Sequence, residues 1–289
     1  MDGLLTAATA GLSAGGAYAI LGVCAVFTYR LVAVVNFTGA AIGATGAFAM
    51  VALIEAGMAQ FPAIVLGVLA GTLTATAIGV VMTRWFSGAT ASTKAAVTAA
   101  LLVGMIAVGL RLTGGQDAHL FPAVAPGSAF RFAGVEVTNA GVLTVILAVV
   151  FTFAAETFLA RTRTGLRLRA LSERPMAAEL MGIPVRRLAI TVWMLTGAMT
   201  TVALIIIAPQ RSPNFASMSL LVVPALAAAL IGAFSSFRAA LLGGLLIGIV
   251  EGLASGIDRF SQYRGAVPFI VILAVLLWSQ RGARWDEAR

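Results

Sequence analysis

Few side chains in this 289-residue sequence combine the types and spacings that chemistry needs. Gly11-Leu12-Ser13-Ala14-Gly15 spells Gly-x-Ser-x-Gly, the elbow that exposes a hydrolase's nucleophilic serine. Such a serine requires a general base, yet the one histidine, His119, lies far along the chain in a polar stretch with Gly114, Gly115, Gln116 and Asp117. Cys24 is the only cysteine, which excludes an intrachain disulfide and a multi-cysteine metal site. No Gly-x-x-x-x-Gly-Lys-Ser/Thr loop for a nucleotide's phosphates occurs, and the single lysine, Lys94, follows Thr93. Catalysis is therefore not expected of this chain. Two polar features remain. Glu251 follows Ile249-Val250 deep in an apolar run, and Asn36-Phe37-Thr38-Gly39 sets polar and small residues at the start of another.

The elements that must position these residues are membrane helices. Hydrophobic residues make up 60% of the chain, charged residues 10%, and the mean hydropathy is +1.01. A bilayer core about 30 Å thick is crossed by roughly 20 apolar residues in helical form, because lipid offers no partner to an open backbone N–H or C=O. Apolar runs of that kind lie near 3–29, 36–56, 62–83, 96–113, 138–159, 188–208, 219–232, 236–256 and 266–280. They are too long and unbroken for barrel strands of alternating polarity. The expected fold is all-α and polytopic, with eight or nine transmembrane segments, in one domain over 1–289. Met1-Asp2-Gly3 carries no positive charge ahead of the first run, so that run is expected to be retained rather than cleaved.

The net charge of +8 comes from eighteen arginines and one lysine, which in a water-soluble chain would suggest nucleic-acid binding. Here it reads as topology, and no nucleic-acid partner is expected. With the N-terminus outside and the C-terminus inside, fourteen basic residues fall in the inner segments and five in the outer ones, as positive charge retained on the cytoplasmic side requires. Run 219–232 is short and contains Pro224, and run 36–56 opens on Asn36, Thr38 and Gly39. Both read as interrupted or re-entrant helices, a form that survives at membrane depth where it lines a path. Asn36, Phe37, Thr38, Gly39 and Ser13, read as comparably placed, are the candidate substrate path, together with Glu251. An acid at that depth serves a solute path or pairs with a neighbouring helix, and the sequence leaves both open. Gly11, Gly15, Gly22, Gly244 and Gly248, taken singly, read as close-packing residues.

The segment 160–187 is too basic to enter lipid and is expected to form a cytoplasmic loop. Within it, Pro175 suits the first turn of a short helix over 172–183, which Ala177, Ala178, Glu179, Leu180 and Met181 continue and Gly182 stops before Pro184. Leu180, Met181 and Ile183 supply apolar contact, while Arg174 and Glu179 fix orientation, as in a helix that docks in a partner's groove.

The wording of this loop resembles the coupling loop of the permease subunits of bacterial ABC importers for branched-chain amino acids. The shared pattern is Arg-Thr-x-x-Gly165-x-x-x-Arg-Ala, then Pro175, Ala177-Ala178 and Met181-Gly182-Ile183. Gly11 to Ile20, Tyr29 to Phe37 and Ala229 to Gly252 resemble the family's first helix, its Asn-Phe motif and its glycine-rich late segment. The length resembles the shorter of the two paired permeases. The resemblance implies a multi-pass protein of the bacterial cytoplasmic (inner) membrane in contact with membrane lipid. It also implies a second permease subunit, paralogous or a second copy, two cytoplasmic ABC ATPases that carry ATP and Mg, and an extracytoplasmic solute-binding protein. Its default solute is a branched-chain or related small amino acid. The residue reading alone admits an importer of an amide, urea or carboxylate, or an ion-coupled secondary transporter. Two departures stand out: Thr38-Gly39-Ala40-Ala41 replaces the family's small residue and His-Gly-Glu, and Ala233 to Arg238 replaces a Gly-Ser-Pro-Gly turn.

Overall fold

A computed structural model describes residues 2–117, 119–132, 135–173, 180–181, 184–210, 214–257, 261 and 263–280. The first half holds α1 (Asp2–Val32), α2 (Gly39–Glu55), α3 (Gln60–Trp85) and α4 (Ala91–Leu112). A hairpin of β1 (Ser128–Phe132) and β2 (Val135–Thr138) leads into α5 (Asn139–Arg161) and α6 (Arg163–Glu173). The second half holds α7 (Val185–Ile207), α8 (Phe215–Ser219), α9 (Val222–Ile231), α10 (Phe237–Ser255) and α11 (Val267–Gln280).

Helices α1, α3, α4, α5, α7 and α10 are long and apolar enough to cross a bilayer, whereas α2, the α8–α9 pair and α11 are shorter apolar helices. Every run expected from the sequence is thus present, and the chain is a polytopic helical membrane protein. The antiparallel hairpin β1–β2 is the one departure from all-helical structure among the described residues. Strand β2 alternates apolar and polar residues, the period of a half-exposed strand, and β1 does so from Phe130 on, past a register irregularity at Ser128–Phe130.

Glycine contacts set the relative directions of the helices. A Cβ on Gly11 would meet Gly248 at 2.3 Å and one on Gly244 would meet Ala19 at 2.4 Å, so α10 runs antiparallel to α1 with backbones almost touching. Gly16 presses on Thr144 and Gly141 on Ser13, which makes α5 parallel to α1. Gly71 faces Thr201 and Gly79 faces Trp193, so α3 and α7 run antiparallel. The close-packing reading of Gly11, Gly15, Gly22, Gly244 and Gly248 is what the structure realises: in lipid, helices associate through backbone approach at small residues. Helix α1, threaded with Gly and Ala, is the central post.

Both interrupted segments exist, though their break points differ from expectation. After α1 the chain turns back at Ala33, whose φ is 51°, and runs without regular structure until α2 starts at Gly39 rather than at Asn36. The second break falls at Leu220–Leu221, between α8 and α9, and not at Pro224. Pro224 is the third residue of α9, where its missing N–H deprives the helix of nothing. Where the family resembled above favours Gly-Ser-Pro-Gly, Ala233 and Phe234 hold φ of 46° and 52°, a left-handed conformation costing an L-residue about 1–2 kcal/mol each.

Candidate functional site

Polar groups inside the bundle gather in two places along α1. The upper one, at the hairpin end, is a cavity of about 430 Å³ between α1, α8 and α10 whose polar lining includes Gln210, Ser217 and Glu251. Ser13 Oγ, almost fully buried, donates to Gln210 Oε1 at 2.6 Å, and its carbonyl accepts from Thr144 Oγ1 at 3.2 Å. Tyr18, buried in the same helix, donates its hydroxyl to Glu251 Oε2 at 2.5 Å. The sequence left Glu251 between a path and a structural pairing. The structure gives it both attributes, a buried phenol partner and a place in the cavity wall.

The lower place lies between Leu21, Cys24 and Ala25 of α1, Asn36 and Gly39 at the first break, Thr196 and Thr200 of α7, and Ala225 of α9. Its free volume is only about 20 Å³, room for a single water. Asn36 Oδ1 accepts from the backbone N–H of Thr38 at 2.9 Å and from its hydroxyl at 2.6 Å, a local loop that competes with helix and starts α2 late. Thr98 of α4 donates to the Val35 carbonyl at 2.9 Å and holds the same break from outside. Phe37 is half-buried.

The six expected path residues therefore split. Glu251 lines the upper cavity, Ser13 lies buried behind it and reaches it through Gln210, and Asn36, Phe37, Thr38 and Gly39 belong to the lower break. The expectation that Ser13 sits at a place comparable to Asn36 is corrected: from Ser13 to Cys24 the α-helical rise is roughly 16 Å. The reason is that the chain turns back on itself after Val32, bringing Asn36 level with the second half of α1. Sequence reading missed Tyr18, Gln210 and Ser217. Gln210, polar and one residue after Pro209 at the end of an apolar run, was the available signal.

The Gly-x-Ser-x-Gly string is not an elbow. It lies inside α1, with Gly11 and Gly15 pressed on α10. His119 sits elsewhere, its Nε2 2.7 Å from the Thr113 carbonyl and its ring edge-on to Phe48. Among the described residues no group of three or more His, Cys, Asp or Glu is placed to hold a metal ion.

At the opposite, arginine-rich end, Gly165 in the first turn of α6 lets that helix sit tight against α5. Its N–H is capped by Thr162 Oγ1 at 2.9 Å, and a Cβ there would meet the Phe158 carbonyl at 2.2 Å. Helix α6 is amphipathic and was not foreseen, the expected short helix being placed over 172–183. Of the coupling residues, Leu180 and Met181 are 89% and 81% exposed. Arg174, Pro175, Ala177, Ala178, Glu179, Gly182 and Ile183 lie outside the described residues.

Residues 7–276 match the family model described as branched-chain amino acid transport system / permease component. The high-affinity branched-chain amino acid transport system permease protein BraD of Pseudomonas aeruginosa is 25% identical over 94% of this chain and 92% of its own length. A probable branched-chain amino acid transport permease protein LivH of Methanocaldococcus jannaschii is also 25% identical, over 91% and 87%. Among solved structures, PsaBC from Streptococcus pneumoniae in complex with Fab superposes with a TM-score of 0.55 at 16% identity, covering 100% of this chain and 94% of that one, a likeness of fold alone.

Proposed function

We propose a working for this chain from one premise: it belongs to the family of permease components of branched-chain amino acid transport systems. It is a multi-pass transmembrane permease subunit of an importer. Its solute, in this reading, is a branched-chain or related small amino acid, entering from the hairpin end. The observation that carries the reading is the pair of polar places stacked along α1, the upper one open at about 430 Å³ and the lower one closed to about 20 Å³. Leu221 lines the upper and Val222 the lower, so the second helix break stands between them. That is the arrangement of a path shut on one side, with irregular backbone where it faces a cavity.

In the upper cavity Gln210, Ser217 and Glu251, with Ser13 behind the amide and Tyr18 behind the carboxylate, present the hydrogen-bonding groups a small polar solute needs. The break at Asn36 to Gly39 is the element that rearranges to let it pass. The arginine-rich end faces the cytoplasm, with the N-terminus outside and the C-terminus inside, as the charge count supports. There α6 and the segment 174–183 meet cytoplasmic ATPases, which hold ATP and Mg; this chain performs no hydrolysis of its own. Gly165 keeps α6 rigid on α5, so that a push on Leu180 or Met181 reaches the bundle. A second permease completes the pore and an extracytoplasmic binding protein delivers the solute.

The test is reconstitution of the permease pair with its ATPases and binding protein in proteoliposomes, measuring uptake of labelled leucine. Uptake is expected to require ATP and to be lost when 177–182 is deleted. Uptake that runs without ATPases on an ion gradient would establish a secondary carrier instead, and competition by urea, an amide or a carboxylate but not by leucine would reassign the solute.

A further inference from the structure

The polar side chains that line the upper cavity differ in whether they still have a hydrogen to give. At about 430 Å³ the cavity falls in the range of roughly 300–1,000 Å³ usual for a small-molecule site. Ser217 Oγ donates to the Asn214 carbonyl at 2.9 Å and Ser255 Oγ to the Gly252 carbonyl at 2.6 Å, so both hydroxyl hydrogens are spent on local backbone. Glu251 accepts from the buried Tyr18 hydroxyl, and a carboxylate has no hydrogen to offer. Among the described lining residues that leaves the amide of Gln210 as the side-chain donor.

Gln210 closes the short 3-10 turn at the end of α7, where Pro209 restricts the backbone before it. Ser13 Oγ meets its Oε1 at 2.6 Å, a length usual for O–H···O and below the N–H···O range, which starts at about 2.7 Å. The amide is therefore held one way round. Its oxygen faces Ser13, and its NH2 group, with two hydrogens, is turned away from α1 and has no partner among the described residues. Ser13 is a fixed point for this purpose: it is 1% exposed, lies inside a long helix, and takes the Thr144 hydroxyl on its carbonyl. Ile207, Met218 and Leu221 give the same cavity an apolar side.

We infer that Gln210 sets the orientation and class of the solute: its NH2 group receives the solute's carboxylate, Ser13 positions that group, and an alkyl side chain lies against Ile207, Met218 and Leu221. Only an acceptor satisfies the NH2 group, since an ammonium brought to it would set donor against donor. A small acid with an apolar tail fits both halves of the wall, and a free carboxylate is the feature the cavity requires. This assignment rests on the reading of the upper cavity as the solute's path and adds to it which residue reads which end.

The experiment titrates the assembled transporter in nanodiscs, without its binding protein, with three probes followed by saturation-transfer NMR. Leucine carries acid, amine and tail, 4-methylpentanoate lacks the amine, and 3-methylbutylamine lacks the acid. Gln210→Leu is expected to weaken leucine and 4-methylpentanoate about tenfold and to leave 3-methylbutylamine within about twofold, the loss of one charge-assisted hydrogen bond. Gln210→Glu keeps the shape and the bond from Ser13 but puts an oxygen where the NH2 group stood, and should weaken the two acids at least as much. Ser13→Ala frees the amide to turn and is expected to weaken the acids about threefold while sparing the amine, whereas lost packing alone would weaken all three. Equal effects on the three probes, or none, in both Gln210 variants overturn the assignment. So does a wild type that binds the amine better than the acids, or that binds none of the three. ATP-dependent leucine uptake by the wild type in proteoliposomes, measured in parallel, keeps the two readings apart: where uptake persists only the role of Gln210 falls, and where uptake is absent the path reading has failed.

Discussion

Helices α1 and α4 have the same apolar character in sequence and opposite places in the molecule. The most apolar stretch of α1 has a mean hydropathy of 1.7 and is 89% buried, while that of α4 reaches 2.1 and is 11% buried. In water the more hydrophobic helix would be the inner one. In a bilayer the outside is as apolar as the inside, so greasiness carries no inward direction and small residues do. Helix α1 has Gly11, Gly15, Gly16 and Gly22 under neighbouring backbones, whereas Gly104 of α4 has nothing within 4 Å of where a Cβ would stand. Helix α4 touches the bundle at chosen points. Thr98 bonds the first helix break, and Gly109 lets the ring of Phe215 in α8 lie on its backbone, so this peripheral helix spans the two interrupted segments.

The largest expected effect tests that contrast directly. Gly248→Leu would force four heavy atoms into a seam where even a Cβ lies 2.2 Å from Gly15 Cα, and should cost well over about 3 kcal/mol, seen as loss of the monodisperse permease on size exclusion. Gly104→Leu should express and migrate as wild type. Were the two equally tolerated, the small-residue account of α1 would be wrong.

A smaller effect separates polar from apolar contributions of the inner post. Glu251→Ala removes the acceptor 2.5 Å from the Tyr18 hydroxyl, and is expected to lower the melting temperature of the solubilised permease by the equivalent of about 1–3 kcal/mol. Glu251→Gln, which keeps an acceptor, should largely restore that stability while changing uptake. If Glu251→Ala leaves stability untouched and only uptake falls, the carboxylate serves the path alone.

The smallest effect lies on the outer helix. Thr98→Val keeps the shape and drops the bond to the Val35 carbonyl and the longer one from Phe37 N–H, for which about 1 kcal/mol is expected, and its consequence should be local: faster hydrogen exchange across 33–38 with the rest unchanged. Protection that changes throughout the bundle instead would show α4 to be as integral as α1.

Much of this was legible in the residues. Every apolar run became a helix, because an open backbone group in lipid costs several kcal/mol and leaves a spanning segment little choice. The two interrupted segments announced themselves through Asn36-Phe37-Thr38-Gly39 and through a run too short to cross. The helix over Arg163–Glu173 is not legible in the residues alone, because the clear start and stop signals are Pro175 and Gly182, and the arginines of α6 report the side of the membrane before they report one face of a helix.

By itself, then, the sequence determined the solvent, the number of apolar segments, and through the wording around Gly165 and 174–183 the family. Those properties are local: each is written in composition, in run length, or in a contiguous string. Only the tertiary structure decided that Ser13 and Asn36 belong to different places, that Tyr18 and Gln210 complete the cavity of Glu251, and that α4 lies outside. Residues such as Tyr18 and Glu251, or Ser13 and Gln210, stand some two hundred positions apart. Tyr18 and Glu251 meet because glycines on α1 and α10 allow two backbones to touch, and no periodicity along a helix in lipid reports which of its faces will find a partner.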